Sequence, residues 1–565
     1  VRANCGGGDL STWAGSVSFT PLLQNDECAD AINLSCGTTG LAGTTNAAVY
    51  ENALWAMSDY GVWYTFEGTG FDMTVSVDAA SGYDHGLGIG SGACGSITTI
   101  TDVDGSGGGG VENYTFSNTT VGVDYYVYVA HYNSWSSTTG NFTISLSCDV
   151  DIWTGAVSAD WGTDGNWSDG SVPLVSENAS IPTAPTGGNF PNVSGDYSVA
   201  RFNNASGATT SVQSGSSLTV SLILTNNGTF NVASGGSLVQ NTGGALLGSG
   251  TFNVARNGSS VYDFWSSPIM NASPNFLSGT VYQFNPQTGT ADPADDAFDP
   301  GWVSPGASMI PGKGYAAWAA GTKVFSGQVN NGSVNISVGS YPLPNVSINL
   351  IGNPYPSGVL VNSFLSANSG VLAVGAIYLW DDPGSTPYTT GDFAVRNNLS
   401  GTAGGGGNTP SNVIGTAQGF QVEVNASSTV SFTNAMRTAG NTSMLFRTAE
   451  TNLMWISVLN SANQFNQTLI GFTEDGTDGV DWGYDAPKLN YAAPLSLYSQ
   501  IDGMPFAIQG YGEFDEQRVV PLGVNSDSDT ELVFNLDSLD NFPQVPIVLE
   551  DRYLGVFHEL TQSPY

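Results

Sequence analysis

The sequence predicts an all-β protein: tandem β-sandwich or jelly-roll domains with a short parallel β-solenoid segment. Two observations lead there. The chain holds 73 Gly among many Thr, Val, Tyr and Phe, a composition of short strands joined by tight turns. From about 196 to 256 it also repeats. Ser214-Gly215-Ser216-Ser217-Leu218 returns as Ser234-Gly235-Gly236-Ser237-Leu238, and Thr229-Phe230-Asn231-Val232 as Thr251-Phe252-Asn253-Val254. A period of about 20 residues is one solenoid rung. At 565 residues the chain exceeds one domain and suggests roughly three to five.

Residues 1–24 read as an extended lead, with Gly6-Gly7-Gly8 and one alternating stretch, Ser16-Val17-Ser18-Phe19-Thr20. Residues 25–149 read as a jelly-roll β-sandwich. Val62–Phe66, Met73–Val77, Tyr125–Val129 and Asn141–Leu146 are strand-like, each alternating or rich in β-branched and aromatic residues. In order, Asn25-Asp26-Glu27-Cys28-Ala29-Asp30-Ala31-Ile32, Val62–Phe66, Tyr83-Asp84, Ser91-Gly92-Ala93-Cys94-Gly95, Tyr125–Val129 and Thr139–Thr143 resemble the jelly-roll accessory domains, similar to pre-peptidase C-terminal domains, of secreted Bacteroidota proteins. Such domains accompany enzymes and adhesins alike, so the resemblance implies a location more than an activity.

Residues 150–256 comprise a Trp-rich joint (Trp153, Trp161, Trp167) and the solenoid, whose few rungs require capping by their neighbours. Residues 257–447 form a β-rich module marked by Tyr262–Pro268, Met309–Tyr315, Asn349–Ser357, Ile377–Trp380, Gln418–Phe420 and Asn434–Arg437. This series resembles a module of large surface proteins exported by the type IX secretion system of Bacteroidota. In residues 448–565, Asp481–Ala486, Phe506–Gly510, Val520–Gly523 and His558–Leu560 with Ser563–Tyr565 resemble the module that usually follows. That resemblance implies further closing strands and a sorting signal beyond Tyr565, so this last module is expected to be truncated.

Lys and Arg number 11 against 48 Asp and Glu, a formal charge of -37. Phosphate neutralisation needs basic side chains, so nucleic-acid binding is excluded, as is an electrostatic hold on anionic membranes. No apolar run approaches the roughly 20 residues of a membrane helix. Cys5, Cys28, Cys36, Cys94 and Cys148 form no CxxC pair, which disfavours zinc and fits disulfides in a secreted domain, with at least one thiol left over.

Calcium is the metal the acidic turns suit. Glu474-Asp475-Gly476-Thr477-Asp478-Gly479-Val480-Asp481 sets four carboxylates among glycines, with Asp475, Asp478 and Asp481 as candidate ligands. Asp102-Val103-Asp104-Gly105 repeats the chemistry, with Asp102 and Asp104 as candidates. Hard cations want several oxygens on a flexible turn, and a structural role is expected. His85, His131 and His558 have no nucleophile elbow beside them and read as turn or strand-end residues. Asp295-Asp296 and Asp381-Asp382 read as solvated loop charges, Gly404–Gly407 as a flexible loop, and Lys313 as part of a β-turn. Trp135, between serines, is a candidate platform for sugar rings.

The expected function is that of an extracellular or cell-surface structural or adhesive protein, a filament subunit or adhesin and not an enzyme. A carbohydrate-binding or hydrolase-accessory protein is the alternative. Expected partners are further copies of itself, other surface proteins or glycans. The stretch around Val17–Phe19 is a candidate donated strand, because unpaired edges recruit strands.

Overall fold

The computed structural model describes residues 23–51, 55–79, 82–120, 122–277, 279–288, 301–342, 347–382, 384, 392–439, 451–489, 493–527 and 531–565. Cys5, the alternating stretch around Val17–Phe19 and the Asp295-Asp296 pair lie outside them. The protein is all-β, with a single α-helix, Val361–Ala367, among the described residues. No helix there is long and apolar enough to cross a membrane. The chain divides into two units, Val1–Asp151 and Ile152–Tyr565.

The first unit is a sandwich of two sheets. One orders Ile32–Asn33, Val62–Glu67, Asp124–His131, His85–Ser91 and Thr98–Val103; the other orders Thr38–Thr44, Asn141–Cys148, Met73–Ala79 and Val111–Phe116. Alternation along Met73–Ala79 sends Met73, Val75 and Val77 into the core with Leu87, Ile89, Val127, Val129, Ile144 and Leu146. The five-stranded sheet is buried on its other face too, by Trp55, Met57, Trp63, Tyr126 and Tyr128. This explains Gly86, Gly88 and Gly90, which alternate with the inward Leu87 and Ile89. A Cβ on Gly88 would overlap the Trp55 ring. Disulfides join Cys28 to Cys94 and Cys36 to Cys148, with Cα separations of 5.9 and 5.5 Å.

The second unit opens with the solenoid, of about four turns. One face stacks Asn178–Ile181, Asp196–Asn204, Ser217–Asn226 and Ser237–Gln240 in parallel; the other stacks Asn192–Val193, Thr209–Val212, Thr229–Val232 and Thr251–Gly258. The two repeated phrases fall in register, Leu218 beside Leu238 and Phe230 beside Phe252. Phe202, Phe230 and Phe252 therefore form an inner column, with centroids 5.9 and 5.6 Å apart, each ring wholly buried. Burying one such ring contributes about 1.5–3 kcal/mol. Asn204 donates to Asn226 Oδ1 at 2.8 Å, continuing the ladder in polar form. Trp153, Trp161 and Trp167 pack on one another and, through Trp161, onto Phe202, so they close the first rung.

The last rung, Thr251–Gly258, pairs antiparallel with Gly321–Gly327, so the following chain covers its edge. Beyond lie a four-stranded sheet (Tyr262–Trp265, Tyr315–Trp318, Val281–Phe284, Trp302–Val303) and a five-stranded one (Ile348–Gly352, Gly419–Glu423, Ala376–Asp381, Asp392–Asn397, Gly401–Thr402). The C-terminal part is built on Leu522–Ser526, Leu495–Ile501, Met504–Tyr511, Phe465–Phe472, Asn452–Asn460 and Leu532–Asp540, in that order, with a hairpin of Val548–Asp551 and Val556–Glu559.

Candidate functional site

The distinctive phrases of residues 257–447 converge on a polar seam between the solenoid and the sheets after it. Asn353 is buried and donates to Ser357 O at 2.7 Å, Ile414 O at 3.2 Å and Gly415 O at 3.0 Å. Its Oδ1 accepts from Tyr355 N, which fixes the Asn353-Pro354-Tyr355-Pro356-Ser357 turn and buries the Tyr355 ring. Over that ring, 4.8 Å from its centroid, lies the guanidinium of Arg437. Arg437 is 7% exposed and donates to Leu238 O (2.6 Å) in the solenoid, Ser357 Oγ (3.1 Å), Asn434 Oδ1 (3.3 Å) and Asn331 Oδ1 (3.4 Å). Leu238 N donates to Pro356 O at 2.8 Å, Asn331 Nδ2 to Gly244 O and Asn434 Nδ2 to Asn241 O. The turn and Arg437 thus stitch the module to the outer rung.

A second arginine does the same further along. Arg256, on the last rung, donates to Phe264 O at 2.8 Å and Ala417 O at 2.7 Å, and lies 4.1 Å from the centroid of the buried Trp265 ring. Desolvation pulls Arg437 down to about 9, with Tyr355 opposing, and Arg256 down to about 10, with Asp263 opposing. Both cations donate to neutral oxygens and lie over aromatic rings, an arrangement that joins elements. The core is continuous across the seam, running from Trp153 and Phe230 to Trp265, Tyr315 and Ala417. Motif reading found the phrases but not the joining role of Arg256 and Arg437, because the rings and carbonyls they meet are brought to them only by the fold.

The acidic turns are organised by their own hydrogen bonds. Asp481 Oδ2 accepts from Thr477 N (2.5 Å) and Oγ1 (2.8 Å), Asp475 Oδ2 accepts from Tyr484 (3.0 Å), and Asp478 pairs with Arg518 at 2.5 Å. Asp102 is exposed on its strand and accepts from Ala56 N at 3.3 Å, while Asp104 stands at the mouth of the loop that follows. Among the described residues, no three His, Cys, Asp or Glu side chains converge as a metal cage.

Other expectations meet different surroundings. His85 is no turn residue: it opens the strand His85–Ser91, is 1% exposed and bonds through Nε2 to Val77 O at 3.0 Å. His131 ends its strand, and His558 lies in the terminal hairpin near Ser563. Asp381 is buried, not solvated. It accepts from Gly404 N, Asn408 N and Asn408 Nδ2, so the glycine run wraps a carboxylate. Lys313 follows a turn at Gly312, whose φ is +82°, and burial lowers its ammonium. It lines a cavity of about 210 Å³ with Phe284, Ile336 and Tyr341. Trp135 is 95% exposed.

Fold and seam together define a multi-sheet all-β protein organised around a short parallel β-solenoid. Residues 152–565 match the family described as a domain of unknown function, DUF8693, and the chain belongs to that family. No curated protein matches the chain.

Proposed function

We propose that this chain is an extracellular or cell-surface structural protein, an adhesin or filament subunit exported by type IX secretion, in which the second unit serves as a stiff spacer. The observation that carries the reading is the continuous core from the solenoid into the module behind it, closed by Arg256 and Arg437. A solenoid resists bending because each rung is bonded to the next, and the seam extends that stiffness into the sheets. Two disulfides in the first unit suit an oxidising compartment, and a charge of -37 suits solubility outside the cell. Calcium at Asp475, Asp478 and Asp481 would add rigidity, with Asp478 leaving Arg518 to bind it. Negative-stain microscopy of the purified native protein tests the reading, with and without a chelator. Regular fibres support a filament subunit and rod-shaped particles a spacer; flexible, beaded particles would refute the stiff-spacer reading.

One observation favours the alternative, a glycan-binding or hydrolase-accessory protein. The Trp135 ring stands almost wholly in solvent on a loop held by Asn133 and Ser58. Aromatic faces in such positions stack on sugar rings. Retention on immobilised polysaccharides, lost in Trp135→Ala, tests this reading.

A further inference from the structure

The seam holds a cavity of about 430 Å³, with residues 234–237 and 255–257 of the solenoid on one side and residues from the 411–418 segment of the module on the other. That volume is in the range of small-ligand sites. Arg256 lines the cavity, and its guanidinium is only half spent on joining the elements. Nη1 makes both hydrogen bonds, to Phe264 O at 2.8 Å and Ala417 O at 2.7 Å. One face of the group lies on the Trp265 ring. The edge formed by Nε and Nη2 has no partner among the described residues. Asp263, the nearest carboxylate to bear on it, is turned to its own chain and accepts from Ser259 N at 2.8 Å and Ser259 Oγ at 2.9 Å. Desolvation lowers the guanidinium, with Asp263 opposing.

The rest of the lining repeats this surplus of donors. Ser237 is 3% exposed, and its hydroxyl makes no hydrogen bond among the described residues. The same holds for the Thr416 hydroxyl and for Gln418 Nε2, while Gln418 Oε1 is held by Gly415 N at 2.8 Å. Polar groups with so little water around them are ordinarily paired. Apolar surface is scarce: Ala255 and Val413 supply the apolar side chains of the described lining.

We infer that this cavity binds an acidic sugar, a uronic-acid residue whose carboxylate lies side-on against Nε and Nη2 of Arg256 and whose hydroxyls meet Ser237, Thr416 and Gln418. The Nε and Nη2 edge presents two parallel N–H groups at the spacing of a carboxylate's two oxygens. The carboxylate brings the counter-charge that no ion pair among the described residues gives Arg256. Sugar hydroxyls both donate and accept, so they suit a wall of serine, threonine and amide groups. A peptide carboxylate would meet the same fork, but its side chains would find only Ala255 and Val413 to pack on. Because the two walls belong to the solenoid and the module, the bound sugar bridges the seam. The inference takes its ligand class from the glycan-binding reading and does not depend on Trp135.

Calorimetric titration of trigalacturonate into the full chain, with a chelator present, tests this, beside its uncharged methyl ester and triglycine. The wild type is compared with Arg256→Gln, Thr416→Val and Trp135→Ala. Thr416 is half-buried and makes no hydrogen bond through its hydroxyl, so Thr416→Val keeps the fold even if Arg256→Gln does not, and near-ultraviolet circular dichroism checks both. The expected result is one equivalent of trigalacturonate in the wild type, about tenfold weaker or more for the methyl ester and in Arg256→Gln, about threefold weaker in Thr416→Val, and unchanged in Trp135→Ala. No binding of trigalacturonate at millimolar concentration, equal binding of the ester or of triglycine, or an unchanged isotherm in Thr416→Val would overturn the inference. Binding lost in Trp135→Ala alone would overturn it too, while leaving the glycan-binding reading standing on the first unit.

Discussion

Replacing Arg437 separates its charge from its hydrogen bonds and its bulk. In Arg437→Ala the two asparagine oxygens keep other donors: Asn331 Oδ1 has Asn434 Nδ2 at 2.8 Å, and Asn434 Oδ1 has Gly332 N at 3.0 Å. Ser357 Oγ keeps its donation to Gly358 O at 3.3 Å. Leu238 O is the buried acceptor that loses the donor described for it, at about 1–3 kcal/mol. Loss of the cation–π contact with Tyr355 adds about 0.5–2 kcal/mol, and the empty space left by the stem adds a cavity cost. Against these stands relief from burying a cation, whose guanidinium desolvation has pulled down to about 9. The net expectation for alanine is a loss of about 2–4 kcal/mol. Arg437→Met fills the stem and removes the charge, so it costs only about 0–2 kcal/mol. Arg437→Lys keeps a buried charge and loses the planar fork that serves several oxygens at once, so it is worse than methionine. Urea unfolding followed by tryptophan fluorescence ranks the three variants, and hydrogen exchange at Ser237–Gly244 reports the outer rung directly. A lysine variant as stable as the methionine variant, or unchanged exchange at that rung in alanine, would refute the reasoning.

Four further outcomes are expected. Gly88→Ala drives a methyl into the Trp55 ring and costs about 1–3 kcal/mol by overpacking, read as a lower melting temperature of the first unit. The double change Cys36→Ser with Cys148→Ser opens a loop of 112 residues; the chain-entropy estimate is a loss of about 4–5 kcal/mol, seen in chemical unfolding. Asp485 is pushed up to about 6, chiefly by burial, from an ordinary value of about 3.9. The folded chain therefore holds this proton where the unfolded chain has lost it. Stability from this group is full below about pH 4 and lost as pH rises through about 6. Asp485→Asn should gain on the wild type between pH 4 and 7, and a pH-independent difference would contradict the assignment. Trp135→Ala leaves stability within about 0.5 kcal/mol, since its ring touches solvent almost everywhere, and thermal melts check that.

Where sequence and structure agree, the same residue does the same job in successive copies. Leu218 and Leu238, or Phe230 and Phe252, sit in register because each rung repeats one environment, so repetition in the sequence becomes repetition in space. The strand His85–Ser91 is the opposite case. Three glycines dilute its β-propensity, and His85 passes for a turn. Only the position of Trp55 and Met57, distant in sequence, shows that the missing side chains make room. Asp381 passes for a solvated loop charge for a similar reason: the donors that bury it, Gly404 N and Asn408 N, come from a glycine run that carries no local signal of a partner.

The seam also explains why so few basic residues matter so much. The chain has 11 Lys and Arg, and two of them serve inside the second unit, donating to backbone and side-chain oxygens of neighbouring elements. A surface role for a cation in so acidic a protein would be satisfied by many positions; an internal one is not. The oxygens at the solenoid edge belong to the backbone, fixed by the rungs, and the module can meet them only with donors set at fixed angles. A guanidinium lying flat on Tyr355 or Trp265 provides those angles, with the ring holding its plane. Hydrophobic contact alone would let the sheets slide along the stacked rungs, because one rung resembles the next. Arg437 recognises one rung through Leu238 O, and Arg256 reaches from the last rung to Phe264 O and Ala417 O of the module, so the register between solenoid and module is set by hydrogen bonds while the core supplies the bulk of the stability.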